Sequence, residues 1–360
     1  MTGTNKLLIV GATGLVGSTA AQHFSGLDGW EVLTVSRRPP RHGDPSRHFA
    51  VDLTDADNCR KAFAGASGIT HVLYAALHEE DDLQAGWRSQ EQAGINLRML
   101  QNVVENLADR SQFRHLTILQ GGKAYGSHLG RVPVPAKERW PRMSHHIFYW
   151  AQEDYLRNSS HGRHWTFSVL RPQMILGDAL RSPMSMVAAL GVYASVMREM
   201  GRPLHFPGGG TYVTACADSR LIARAAEFCA TREEAAGETY NVVNGDAVVW
   251  RDIWPSFARH FEMEVGDDEP MNLTREMPHL AAHWDALVAK HGLQPYSMAE
   301  VVGASWQMAD MTWGYGKDRP FDRLMSPIKL RQAGFSDCFD TEDALIYWLS
   351  RMQRSNILPR

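Results

Sequence analysis

The chain has 360 residues, 44% hydrophobic and 21% charged, with a formal net charge of -3. That suits a globular protein of one large or two smaller domains, and it gives no reason to expect a nucleic-acid partner, which needs a concentrated basic surface. The four cysteines, Cys59, Cys216, Cys229 and Cys338, lie far apart with no CxxC pair, which points away from structural disulfides and towards a reducing, cytoplasmic setting.

The first residues, MTGTNKLLIVGATG, hold too short an apolar run for a signal peptide. KLLIV (6–10) is predicted as a strand buried on both faces, followed by the turn GATGLVG and the helical stretch STAAQHF. Further strands are predicted at 31–36, at 47–51 ending on Asp52, at 70–76 and at 114–119, with helical segments between the later ones, notably 96–107. Strands alternating with helices imply βαβ units, an α/β fold and a doubly wound, Rossmann-type parallel sheet. Residues 1–172 are expected to form a nucleotide-binding domain, with segments near 212–245 returning to it. Residues 173–211 and 246–360 are expected to make a smaller, mainly helical substrate-binding portion.

Gly11, Gly14 and Gly17 fall between the first strand and the first helix. There the backbone must turn tightly and approach a pyrophosphate that the helix N-terminus stabilises. A glycine triplet alone is weak evidence, but directly after an apolar strand and before a helix it points to dinucleotide binding. The end of the second strand reads the ribose, where an acidic residue would select NAD. This chain has Ser36, Arg37 and Arg38 instead, a match for the 2′-phosphate of NADPH. The plain alternative is a solvated arginine pair. Asp52 and Leu53 are expected near the adenine.

Past the fifth strand comes LQGGKAYGSHLG (119–130), which carries Lys123, and Tyr149 opens the next helix within HHIFYWAQEDYL (145–156). In many nucleotide-dependent oxidoreductases a lysine stands four residues after the tyrosine, on the same helix face. Here that position is Glu153. On residue type alone, Tyr149 reads as a core aromatic and Lys123 as a surface charge.

The segments GATGLVG, SRRP, VDLTD, QGGKAYG, IFYWAQED, RPQMILG, TYNVVNGDAVVWRDIWP and IKLRQAGFSDCFDTED resemble, in order, the progesterone 5β-reductase and iridoid synthase group. That group is a divergent branch of the extended short-chain dehydrogenases. The resemblance implies that Tyr149 is the catalytic tyrosine and that Lys123, from the loop after strand five, is its lysine. It implies NADPH as cofactor and hydride transfer to the β-carbon of an α,β-unsaturated carbonyl. Tyr149 would stabilise the enolate oxygen, assisted by Lys123. Expected cofactor contacts are Gly11, Thr13, Gly14, Leu15, Val16 and Gly17 at the turn, and Ser36, Arg37, Arg38, Asp52 and Leu53 at the ribose and adenine. Ala75, Ala76, Leu77, Gln120, Lys123, Tyr149, Pro172, Ile175, Ser182 and Met186 complete that set. Trp150, His146, Met184 and Trp313 are expected to touch substrate. The chain departs from the plant pattern at Trp150, usually tyrosine, and at Ala124, usually histidine, and its loop before Lys123 is one residue shorter.

In the second half, 165–177 is predicted as a sixth strand, 184–197 as a buried helix and 239–245 as a further strand. The apolar stretch at 184–197 is shorter than the roughly 20 residues a membrane span needs, so no membrane partner is expected. The methionines there suit a variable apolar ligand as well as they suit core packing. The sixteen histidines are scattered with no ligand spacing, so no metal is expected. A homodimer is compatible with this reading. The alternatives to an enone reductase are a carbonyl reductase, a sugar-nucleotide epimerase or dehydratase, and a non-catalytic NADPH-sensing regulator. Glu153 and the arginine pair weigh against the epimerase, and the joint presence of Tyr149 and Lys123 against the sensor.

Overall fold

The computed structural model describes residues 4–360 apart from His42, Ser144 and His146. Among the described residues nine strands form: β1 (Asn5–Val10), β2 (Trp30–Ser36), β3 (His48–Ala50), β4 (His71–Tyr74), β5 (His115–Leu119), β6 (Thr166–Pro172), β7 (Ile175–Leu176), β8 (Ala217–Asp218) and β9 (Thr239–Val242). Seven of them make one sheet in the order β3-β2-β1-β4-β5-β6-β9, and every neighbouring pair is parallel. The order runs outward in both directions from β1, as a doubly wound Rossmann sheet requires. Helices cover such a sheet on both faces, and the central strands accordingly carry unbroken apolar runs such as Leu7 to Val10.

The chain divides into two compact units. The first comprises 1–173, 219–243 and 325–337 and contains the whole seven-stranded sheet. Its core joins Leu8, Val10, Val35, Val72, Ile118 and Val169. The helix Ser219–Thr231 belongs to this unit and lies along the first helix, Leu15–Ser25, where Thr19 and Ser219 share a 3.0 Å hydrogen bond and His23 meets Glu227 at 2.7 Å.

The second unit comprises 174–218, 244–324 and 338–360. It is built around the helix Met186–Glu199, which is buried from Met186 through Met197. Beside it Trp254 packs edge-to-face on Trp313 with centroids 5.3 Å apart. Its only regular pairing among the described residues is β7 with β8. Among the described residues no helix is long and apolar enough to cross a membrane.

Several boundaries differ from the sequence expectation, three of them near the site. The helix predicted from residue 96 begins at Gln90, because Ser89 caps it by accepting the Gln92 amide. The single strand expected over 165–177 is two, β6 and β7: β6 ends at Pro172, which has no N–H to donate, and β7 pairs with β8 instead of with the large sheet. The strand expected over 239–245 closes at Val242.

The turn after β1 explains its glycines sterically. A Cβ at Gly17 would stand 2.2 Å from the Gly11 carbonyl oxygen, a backbone atom that cannot swing aside. Gly17→Ala is therefore expected to cost about 1–3 kcal/mol and to lower the melting temperature by several degrees. Gly130→Ala, with no atom within 4 Å of the new Cβ, should leave it unchanged. Thermal melts of the two variants check this, and equal melting temperatures would refute the steric account.

Candidate active site

The cofactor side is assembled at the C-terminal ends of the first strands. Gly11 adopts φ +92°, and its amide is held by the Val35 carbonyl at 2.8 Å, so the turn is tied to β2. Gly14 caps the helix Leu15–Ser25 without a side chain, and no acidic residue stands in the first turn. First-turn amides left uncapped suit a bound anion. Thr13 lies within this turn, with Leu15 and Val16 buried in the helix's first residues.

Arg37 and Arg38 are exposed just beyond β2. Ser36 is buried and donates its hydroxyl to the Arg38 carbonyl at 2.6 Å, so its proton is engaged in the turn and is not left for a phosphate. Asp52 follows β3. Its carboxylate accepts the Thr54 amide and hydroxyl, which with the Arg37 charge hold it below the usual range despite an opposing burial effect. Leu53 is buried in the core, while Ala75 and Ala76 are half-buried and Leu77 exposed past β4. These residues fit a dinucleotide: a close-packed glycine turn, an uncapped helix start and exposed cations at the ribose position.

Glu153 stands where a lysine would follow the tyrosine by four. It is 4% exposed and is shared by three arginines: Arg157 at 2.8 Å, Arg142 at 2.9 Å and Arg171 at 3.3 Å. Burial pushes its pKa up, but hydrogen bonds from Arg157 and Arg142 and the charges of Arg142 and Arg171 hold it below the ordinary value. Arg171 lies within β6 and is itself buried. Its Nε donates to Gln120 at 2.8 Å, and Gln120 donates onward to the Tyr149 carbonyl at 3.2 Å. The Gln120 side chain, expected to touch cofactor, is thus taken up in tying the helix Phe148–Ser160 to β5 and β6.

Tyr149 lies beside this network, and its hydroxyl reaches the turn that carries Lys123. A Cβ placed on Gly121 would lie 3.4 Å from the Tyr149 hydroxyl oxygen, so the phenol reaches the end of β5, two residues before Lys123. Lys123 is ion-paired with Glu79 at 3.3 Å and rests over the Trp87 ring at 4.3 Å. Burial pulls the lysine below its ordinary pKa, and the charge and hydrogen bond of Glu79 offset part of that. Burial, then the Glu79 charge, raise the Tyr149 phenol, while Arg171 opposes them. Around the pair stand Trp150, over which Arg142 stacks at 4.8 Å, and His128 and His145, whose rings are 5.0 Å apart. Burial holds His128 at about 4, so it is neutral at physiological pH.

Glu79, Trp87, His128 and Arg171 were not singled out by sequence reasoning. For Arg171 a signal existed: a charge inside the apolar run SVLRP can be buried only with a partner. Pro172 ends β6 in the first unit. Ile175, Ser182, Met184, Met186 and Trp313 belong to the second unit. Within it Met186 and Trp313 are buried in the core, and Ser182 and Met184 half-buried. His146 lies outside the described residues. Among the described residues no group of histidine, cysteine, aspartate or glutamate could hold a metal ion.

The family model of the PRISE-like Rossmann-fold domain matches residues 56–359. The chain belongs to this family. An (S)-8-oxocitronellyl enol synthase of Nepeta racemosa is 29% identical over 373 residues, covering 98% of this chain and 91% of that protein. A 3-oxo-Δ(4,5)-steroid 5β-reductase of Arabidopsis thaliana is also 29% identical over 373 residues, covering 98% and 92%. The motif resemblance and the family match therefore agree. Among solved structures, the protein RMD of Pseudomonas aeruginosa, complexed with NADPH, superposes with a TM-score of 0.68 at 16% identity over 98% of each chain, a likeness of fold.

Within this family member, Glu153→Lys would restore the usual spacing on paper yet set a fourth cation against three guanidinium groups. It is expected to cost about 3–5 kcal/mol, the scale of breaking a buried ion pair. Because the folded pKa of Glu153 is depressed, its stabilisation is complete above the ordinary value of 4.5 and is lost as pH falls through the lower folded value. Urea unfolding at neutral and acid pH measures both effects, and a Glu153→Lys protein as stable as the parent would refute the clamp.

Proposed function

We propose that the chain is an NADPH-dependent oxidoreductase that reduces the C=C bond of α,β-unsaturated carbonyl compounds, a small-molecule enone or enal. The observation that carries this reading is the convergence of Tyr149, Lys123 and Glu79 at the ends of β4 and β5, where a doubly wound sheet performs its chemistry. The names of the two relatives, an enol synthase and an enone-steroid reductase, support it.

When bound, NADPH supplies a hydride to the β-carbon of the enone. Exposed Arg37 and Arg38 would hold its 2′-phosphate, and the turn from Gly11 to Gly17 its pyrophosphate. As charge grows on the carbonyl oxygen, the Tyr149 hydroxyl donates a hydrogen bond that is stronger to the enolate than to the ground-state ketone. Lys123, paired with Glu79, would assist the phenol and hold ribose hydroxyls. Protonation of the α-carbon by water completes the reduction.

The test follows NADPH consumption by the pure protein with small cyclic enones, steroid enones, open-chain enals and saturated ketones, with product analysis. The saturated carbonyl compound is the expected product, and NADPH oxidation by saturated ketones alone would sink the proposal. Tyr149→Phe should lower kcat by about 10²–10³, the usual loss of one oxyanion donor, while still binding NADPH. Full activity would show that another group does the work. Replacing Arg37 and Arg38 together by alanine should shift preference towards NADH by about tenfold or more, since a charge-assisted bond is worth about 1.5–3 kcal/mol. Unchanged preference would count against the phosphate assignment.

A further inference from the structure

A carboxylate with a side chain only 4% exposed is unusual unless it is held by donors, and Glu79 has three. One oxygen, Oε1, accepts from Lys123 Nζ at 3.3 Å and from Trp87 Nε1 at 3.3 Å. The other, Oε2, accepts from Gln92 Nε2 at 2.8 Å. Gln92 is itself buried near the start of the helix Gln90–Val104, and its side-chain Oε1 accepts from the Glu80 amide at 2.7 Å. The carboxylate is thus locked in place from the far side by a helix, and Lys123 is gripped between it and the Trp87 ring.

We propose that Glu79 is a positioning residue: its buried carboxylate fixes and neutralises the Lys123 ammonium, so that Tyr149 meets a substrate carbonyl as a neutral hydrogen-bond donor and never as a tyrosinate. This rests on the reading of Tyr149 and Lys123 as the working pair. An isolated ammonium beside a phenol would favour its ionised form, whereas an ion pair presents little net charge. The charged and titratable groups around the phenol come from several elements. Glu79 follows β4, Lys123 follows β5, Arg171 lies in β6, and Arg142 and His145 precede the tyrosine helix. Glu153, one turn along that helix, is occupied by its arginines, His128 is neutral, and Glu91 and Arg98 of the helix Gln90–Val104 are exposed. Of these, Glu79 raises the phenol and Arg171 lowers it, and the net direction, with burial, is upward.

The chemical consequence concerns direction. Interconverting an alcohol and a ketone requires a tyrosine that accepts and returns a proton near neutral pH. A phenol held protonated cannot take the alcohol's proton, but it can stabilise an enolate oxygen by donating to it. Glu79 thereby favours reduction of an activated double bond over alcohol oxidation at this site.

The test reads the phenol directly. The full chain, without cofactor, is labelled with tyrosine carrying carbon-13 at Cζ, and the Tyr149 signal is assigned by its loss in Tyr149→Phe. In the parent protein the signal should keep its phenol position up to the pH of alkaline unfolding. In Glu79→Gln it should titrate at least about one unit lower, the scale on which a neighbouring charge moves a pKa, and Glu79→Asp should restore the parent behaviour in part. Glu79→Ala is the second neutral variant should Glu79→Gln not fold. A parent phenol ionising at or below the ordinary value of about 10, or identical titrations in the parent and both neutral variants, would overturn the proposal. No turnover enters this measurement. A failed enone assay beside a shifted phenol would therefore overturn the substrate reading and leave the Glu79 role standing.

Discussion

A carboxylate removed from water is tolerable only while donors hold it, and three guanidinium groups do so in the Glu153 cluster. Its members come from the tyrosine helix, from the loop before it and from β6. Shifting Arg171, the buried member, would strand charge in the interior, whereas Arg142 and Arg157 are partly exposed. The cluster therefore sets the position of the helix relative to the sheet, and with it where the Tyr149 ring can lie. Gln120 extends the constraint to β5 by bridging Arg171 and the Tyr149 carbonyl. What replaces the usual lysine is thus a fastening that fixes the tyrosine's backbone, while the cation is delivered from a separate turn.

This arrangement separates two kinds of charge. On one side of the phenol the arginines outnumber their carboxylate, and on the other a single lysine is matched by a single glutamate. Tyr149 sits between them with Arg171 and Glu79 acting on it in opposite senses. The low polarisability of a buried site makes both influences larger than they would be in water. Small relocations of either cluster would therefore be felt at the hydroxyl without any change in the tyrosine itself.

The scaffold was largely legible in the sequence because buried parallel strands announce themselves as continuous apolar runs, and the glycines after KLLIV mark the tight turn into the first helix. Tyr149 and Lys123 were legible through motif resemblance, since neither residue type stands out alone. Glu79 was not legible. Its partner Lys123 lies 44 positions away, and no periodicity links a loop after β4 to a turn after β5. Arg171 had left a trace as a charge within a buried strand, but its partner Glu153 could be named only once β6 and the helix were in place. The split of β6 from β7 turned on Pro172, whose missing N–H ends a ladder that hydrophobicity alone would continue. Trp313, expected to touch substrate, packs in an aromatic core against Tyr193 and Trp254, where large rings bury much surface.

The first unit is not one stretch of chain. Its last strand, β9, and the helix Ser219–Thr231 are made after 45 residues assigned to the other unit, and its closing segment ends at Asp337. During synthesis the glycine turn and the tyrosine helix therefore leave the ribosome long before the sheet edge that finishes their layer. Until then β6 presents unpaired backbone groups, the kind of edge that recruits unwanted strands. A nascent chain shortened before that point would hold Glu79, Lys123, Tyr149 and Glu153 and still lack the strand that closes their sheet.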